Sequence, residues 1–230
     1  MRRLLVAGFI VVSLVLPGLA AEPYLSDKTV DLAELMPPPP AVGSARDIAD
    51  MRAVLDAQAQ ASDARKAQAL TDSQETIYVM FAGVLGAKFA APGLPNADKL
   101  FDGIAASEDA INYPAKAVFG RVRPWLANPA VKPYAQPSRS PSYPSGHATR
   151  VTIDAIMLSA MVPEKQREIW ARAEDYSQSR IIGGMHYPGD VRAGWRAGTA
   201  IAAELLQDAK FRADFDAAKV EIRAALGLAP

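Results

Sequence analysis

From Ser44 to the C-terminus the apolar positions of this chain recur at helical spacing. Ile48, Met51, Val54, Leu55 and Gln58 trace one face behind Ser44, and Asp47, three positions after that serine, completes the pattern of a capping box. The same periodicity predicts a helix from Ser73 to Lys88, closed by Pro92-Gly93-Leu94-Pro95, and shorter helices over 97–106 and 108–121. Six prolines between Pro124 and Pro144 mark a loop. Beyond it a helix is expected from His147 to Met161, and a further one starts near Pro163 and runs to Arg180 or Ile182. Gly183-Gly184 ends that helix, Tyr187-Pro188-Gly189 delays the next, and Asp190 is the expected N-cap of a helix to about Gln207. A last helix is expected over 209–226. No alternating, strand-like pattern and no internal repeat interrupts this series. The expectation is one all-α domain, residues 44–230, organised as a helical bundle.

The first 43 residues read differently. Arg2 and Arg3, an apolar run from Leu4 to Leu16, and Gly18-Leu19-Ala20 have the layout of a secretory signal peptide over residues 1–20. Residues 21–43 are proline-rich and end in MPPPPAVG, which predicts a stiff, extended arm packed along its own domain.

Composition narrows the function. Without the leader the chain carries 23 basic and 25 acidic residues, a net charge of −2, which gives no reason to expect nucleic-acid binding. The longest apolar run after the leader, Ile77 to Ala87, ends at Lys88 and is too short to span a bilayer, so no membrane insertion is expected after signal cleavage. There is no cysteine, which removes disulfides, thiolate metal ligands and cysteine nucleophiles, and two histidines argue against a conventional zinc site. Export without disulfides fits a bacterial periplasm.

Both histidines fall in segments rich in anion-binding residue types. Lys116 and Arg123, seven positions apart in KAVFGRVRP, would share a face if one helix carried both. In PSGHA, Ser145 is a natural N-cap and Gly146 opens the backbone at a helix start, where free N–H groups attract an anion; His147 follows in the first turn. In SRIIGGMHYPGD, Arg180 ends a helix, His186 lies in the loop, and Asp190 is placed to accept a proton from the histidine Nδ1.

Taken together, these segments resemble the type 2 phosphatidic acid phosphatase superfamily, which also includes vanadium haloperoxidases. Its signature, K-x6-R-P, then P-S-G-H, then S-R-x5-H-x3-D, is met at Lys116, Arg123 and Pro124, at Pro144 to His147, and at Ser179, Arg180, His186 and Asp190. Within it, the leader, the PPPP arm, SYPSGHAT and GGMHYP are most similar to the secreted class A non-specific acid phosphatases of bacteria.

The resemblance implies a metal-independent acid phosphatase without a cofactor. His186 would be the nucleophile, Asp190 its orienting partner and His147 the general acid and base; Lys116, Arg123, Ser145, Gly146 and Arg180 would hold the phosphate. Implied ligands are small phosphorylated substrates, with inorganic phosphate or vanadate at the same site, and the helical surfaces are compatible with a homo-oligomer. A bell-shaped pH profile with an acidic optimum is expected, because one histidine must be neutral and the other protonated. The motifs are also compatible with a vanadium-dependent haloperoxidase, a lipid or isoprenoid (di)phosphate phosphatase, and a non-catalytic helical binding protein.

Overall fold

In the computed structural model, which describes residues 21–89 and 93–229, every regular element is a helix. The leader over 1–20 and the start of the Pro92–Pro95 turn lie outside the described residues. The described helices are α1 (Leu32–Leu35), α2 (Ala45–Gln60), α3 (Asp63–Thr71), α4 (Ile77–Leu85), α5 (Pro95–Phe119), α6 (Pro124–Ala127), α7 (Gly146–Met161), α8 (Gln166–Ile182), α9 (Pro188–Leu205) and α10 (Ala209–Leu226). A single 3-10 turn, Pro163–Lys165, leads into α8.

Helix α7 is the centre. Twelve of its sixteen residues are buried, as expected of a helix surrounded by others. It packs against α5, α8 and α9, while α10 covers α5 and both α3 and α4 lie on α8. Two glycines set how closely α9 approaches α7. A Cβ on Gly194 would stand 2.6 Å from the Ser145 carbonyl oxygen, and one on Gly198 would stand 2.5 Å from that of Thr149. This contact brings the first turn of α7, with His147, beside the segment that carries His186 and Asp190.

The buried charged residues of α7 are paired, as burial requires. Arg150 Nε donates to both carboxylate oxygens of Asp154, at 3.0 and 2.9 Å, and Nη2 donates to the Phe101 carbonyl at 2.7 Å. Around them Phe81, Phe101, Tyr176 and Phe211 are fully buried, each contributing about 1.5–3 kcal/mol through removal from water.

Several elements differ from the sequence expectation, each for a local reason. The proline-rich arm includes the short helix α1, because the Asp31 carboxylate caps the N–H groups of Ala33 and Glu34. That arm lies against α5, where the Ser107 hydroxyl accepts from the Tyr24 N–H at 2.8 Å. On α2 Ile48 faces solvent and Asp50 faces inward, since Arg121 Nη2 holds Asp50 at 2.9 Å. The helix expected from Ser73 begins at Ile77, behind an N-cap at Thr76, and α3 precedes it. The helices expected over 97–106 and 108–121 are the single helix α5: Ser107 bonds back to the Gly103 carbonyl instead of breaking it, and Pro114 lies inside. Helix α5 ends at Gly120 in a left-handed conformation, so Lys116 and Arg123 do not share a helix. Finally, Asp190 is not the N-cap of α9. Pro188 occupies the first turn, where its missing N–H costs nothing, and the Asp190 carboxylate reaches back to the Tyr187 N–H at 3.0 Å. The last helix matches its expected span of 209–226.

Candidate active site

A cavity of about 220 Å³ opens where the start of α7, the end of α8 and the C-terminal half of α5 meet. Lys116, Arg123, Gly146, His147, Arg180 and His186 all line it. Ser145 and Asp190 stand behind its wall. The Ser145 hydroxyl caps α7 by accepting from the Ala148 N–H at 3.3 Å, and its N–H donates to the Asp190 carbonyl at 3.1 Å.

His186 is held by acceptors and donors that fix its tautomer. Arg123 Nη1 lies 3.0 Å from Nε2 of the imidazole. A guanidinium nitrogen only donates, so Nε2 accepts and Nδ1 carries the ring proton. That proton faces Asp190 Oδ2 and Ser142 Oγ, each at 3.5 Å. Asp190 is buried yet well supplied with donors: Arg121 Nη1 at 2.7 Å, Ser142 Oγ at 2.5 Å and the Tyr187 N–H at 3.0 Å. Burial together with Arg123, Lys116 and Arg180 holds the His186 pKa well below the usual 6.5. His186 is therefore neutral, with its Nε2 lone pair turned to the cations.

The three cations are fixed by backbone carbonyls. Lys116 Nζ donates to the Pro144 carbonyl and to that of Pro141 at 3.3 Å. Arg123 spends Nε on the Ser140 carbonyl at 2.9 Å and Nη1 also on that of Met185 at 3.1 Å. Arg180 Nη1 donates to the Asp72 carbonyl at 3.2 Å, while its buried Nε has no partner. Burial lowers all three, Lys116 to about 8 with help from Arg123, and Arg123 to about 10. An anion in the cavity would reverse that cost by supplying the missing negative charge.

His147 occupies the opposite wall. Its Nε2 lies 3.2 Å from the Ser73 carbonyl oxygen and its ring stacks on Tyr176. Burial, Arg180 and His186 lower its pKa well below 6.5, so both histidines are neutral without a ligand. The sequence expectation of opposite protonation states therefore needs a further charge next to His147.

The sequence reading missed several groups. Ser73 and Glu75 line the cavity from the turn between α3 and α4, and Glu108 and Asp109 line it from α5. Burial raises the carboxyls of Glu75, to about 7, and of Glu108, well above its usual range. Arg121 and Ser142 carry Asp190 from outside. Arg121 follows Gly120 in the motif stretch, but its partners Asp47, Asp50 and Asp190 are far apart in the chain. Nothing local in the sequence signals that cluster. Among the described residues no group of three or more His, Asp and Glu is arranged to hold a metal ion.

Comparison with known proteins adds relatives to this geometry. The family model of the PAP2 superfamily matches residues 102–213. A non-specific acid phosphatase of Providencia stuartii is 30% identical over 211 residues, covering 86% of this chain and 84% of its own length. One from Salmonella typhimurium is 29% identical over 193 residues, with 80% and 77% coverage. Among solved structures, a bacterial vanadium-dependent iodoperoxidase superposes with a TM-score of 0.60 at 18% identity, over 77% of this chain and 54% of that longer one. At that identity the likeness shows the fold alone, and it is the all-helical fold expected from the sequence.

Proposed function

We propose that this chain, which belongs to the PAP2 superfamily, is an acid phosphatase that hydrolyses phosphate monoesters through a phosphohistidine on His186. One observation carries the mechanism: Arg123 donates to Nε2 of His186, so the nucleophilic lone pair faces the same cavity as the three cations. The Providencia and Salmonella relatives named as non-specific acid phosphatases support the reaction class.

In the first step Nε2 of His186 attacks phosphorus, and the bond to the leaving oxygen breaks. Asp190 accepts the Nδ1 proton contact and stabilises the imidazolium that the new P–N bond creates. Lys116, Arg123 and Arg180 neutralise the phosphoryl oxygens, with the free N–H of Gly146 at the start of α7. Phosphoryl transfer depends on such positioning and charge stabilisation, and these fixed cations require no metal ion for it. His147 gives the leaving oxygen its proton, then takes one from the water that releases phosphate. Phosphate and vanadate would occupy the same place.

For the chain as a whole we propose an exported protein. The charged, apolar and small-residue pattern of residues 1–20 supports a leader, residues 21–43 an arm on the 44–230 domain, and the periplasm the site of action. Among the described residues no helix is long and apolar enough to cross a membrane.

The test is hydrolysis of p-nitrophenyl phosphate between pH 4 and 9, with EDTA and then vanadate added. Acidic turnover that resists EDTA, is blocked by vanadate and leaves a base-stable, acid-labile phosphoenzyme is expected. His186→Ala should abolish both turnover and phosphoenzyme. A phosphoenzyme that persists in His186→Ala would overturn the assignment.

A further inference from the structure

The hydrogen-bond partners of His147 fix its protons. Its Nε2 faces the Ser73 carbonyl at 3.2 Å, and a carbonyl only accepts, so Nε2 carries a hydrogen. Its Nδ1 faces Oε2 of Glu75 at 3.4 Å. A bare carboxylate against a lone pair would repel. The contact is attractive only with a proton between the two atoms, either as a carboxylic acid donating to Nδ1 or as an imidazolium donating to the carboxylate.

We propose that Glu75 is the proton partner of His147, and that this pair rather than His147 alone is the general acid and base of the reaction. The inference rests on the reading of His186 as nucleophile and His147 as acid. When the P–N bond to His186 forms and the P–O bond breaks, the leaving oxygen takes the proton of His147 Nδ1. The imidazole becomes neutral and Glu75 is left as a carboxylate. In the second half a water gives its proton back to Nδ1 as its oxygen bonds phosphorus and the P–N bond breaks. Free phosphate leaves, and the pair again holds one proton.

Two features of the fold place Glu75. Asp72, three residues earlier, accepts from Arg172 Nη2 at 2.6 Å and Nη1 at 3.2 Å, which pins the turn to α8. Thr76, one residue later, caps α4. Glu75 is thus the side chain of a turn held at both ends; it lines the cavity, with a third of its side-chain surface exposed. The other charged groups near the pair are Arg180 and Asp72 from α8 and the turn, Lys116, Glu108 and Asp109 from α5, Arg150 and Asp154 from α7, and His186. The cations and His186 all oppose a charged His147. Glu75 is the carboxylate in contact with its ring, and it supplies the charge that a protonated imidazole needs.

The experiment compares Glu75→Gln, Glu75→Asp and His147→Ala on p-nitrophenyl phosphate and on glycerol phosphate, whose alkoxide leaves only with a proton. Glu75→Gln should lower kcat on glycerol phosphate by about 10- to 100-fold, the worth of one charge-assisted hydrogen bond, and spare p-nitrophenyl phosphate to within a few-fold. It should also move the alkaline limb on glycerol phosphate to lower pH, and Glu75→Asp should restore part of the rate. Equal losses on both substrates, or an unmoved limb, would overturn the role of Glu75. If His147→Ala discriminates between the substrates while Glu75→Gln does not, only the pair is refuted. If His147→Ala fails to discriminate, the acid role of His147 itself falls.

Discussion

Arg121 donates from Nη1 to Oδ1 of Asp190 across 2.7 Å, and both groups are buried. The same guanidinium holds Asp50 at 2.9 Å and Asp47 at 3.1 Å, and it lies 4.0 Å from the centre of the Tyr187 ring. One cation therefore ties α2 to the start of α9. It also takes up the charge of Asp190 on one oxygen, leaving Oδ2 to face His186. The Asp190–His186 contact is long, at 3.5 Å, so its direction depends on how firmly the carboxylate is held.

Replacing Arg121 by alanine strands two buried carboxylates, Asp50 and Asp190. Removing one partner of a buried ion pair costs about 3–5 kcal/mol, so Arg121→Ala should show that loss in urea unfolding. Arg121→Lys keeps a charge but not the fork that reaches both carboxylates. It should fold and lose kcat on p-nitrophenyl phosphate, with KM changed much less, because in the proposed mechanism Asp190 acts on the nucleophile and not on bound phosphate. A loss confined to KM would contradict that placement.

The pKa directions give the pH profile its sign. The His186 pKa is depressed, so the neutral form of the proposed nucleophile is lost only as pH falls well below 6.5, and activity should hold into the acid range. Lys116 is lowered to about 8 and sheds its charge as pH rises through that value, which weakens phosphate binding. The kcat/KM for p-nitrophenyl phosphate should therefore peak on the acid side of neutrality and fall through about pH 8. A maximum above pH 8 would contradict the order of these groups.

The helices were legible where periodicity agreed with a cap, a proline or a glycine stop, as for α7, α8 and α10. They were not legible where tertiary partners decided the outcome. Asp50 turns inward on α2 because Arg121 waits there, which no pattern on α2 foretells. Ser73 begins a turn instead of a helix because Asp72 is held by Arg172. Within the cavity, the residues of the three motif segments could be named from the sequence because their types and spacing belong together. Glu75 and Glu108 could not, since they occupy ordinary turn or helical positions and reach the cavity only through the packing of α4 and α5.

Arg180 lines the cavity with Nη1 committed to the Asp72 carbonyl. Its buried Nε has no partner within the protein, and the guanidinium keeps further N–H donors for a phosphate oxygen. Arg180→Lys keeps the charge and loses the planar donor set. Inorganic phosphate or vanadate should bind it about 10-fold or more weakly by calorimetry, the worth of a charge-assisted hydrogen bond. Unchanged affinity would place the anion elsewhere in the cavity.

The glycines of α9 give the last prediction. A methyl group at Gly194 would lie 2.6 Å from the Ser145 carbonyl oxygen, 2.8 Å from the Ala148 Cβ and 3.0 Å from the Thr149 N–H nitrogen. All three neighbours belong to the cap and first turn of α7 or its backbone, and none is the flexible end of a long side chain. Gly194→Ala must therefore push α7 and α9 apart where they carry His147 and Asp190. Its overpacking cost should be about 1–3 kcal/mol in urea unfolding, despite the higher helix propensity of alanine. Gly83, on the outer helix α4, has nothing within 4 Å of an added Cβ. Gly83→Ala should leave activity intact and raise stability by up to about 1 kcal/mol. Turnover of p-nitrophenyl phosphate should drop in Gly194→Ala even under conditions where that variant is fully folded, because the two walls of the cavity separate. Full activity in folded Gly194→Ala would show that the site tolerates a looser contact between α7 and α9.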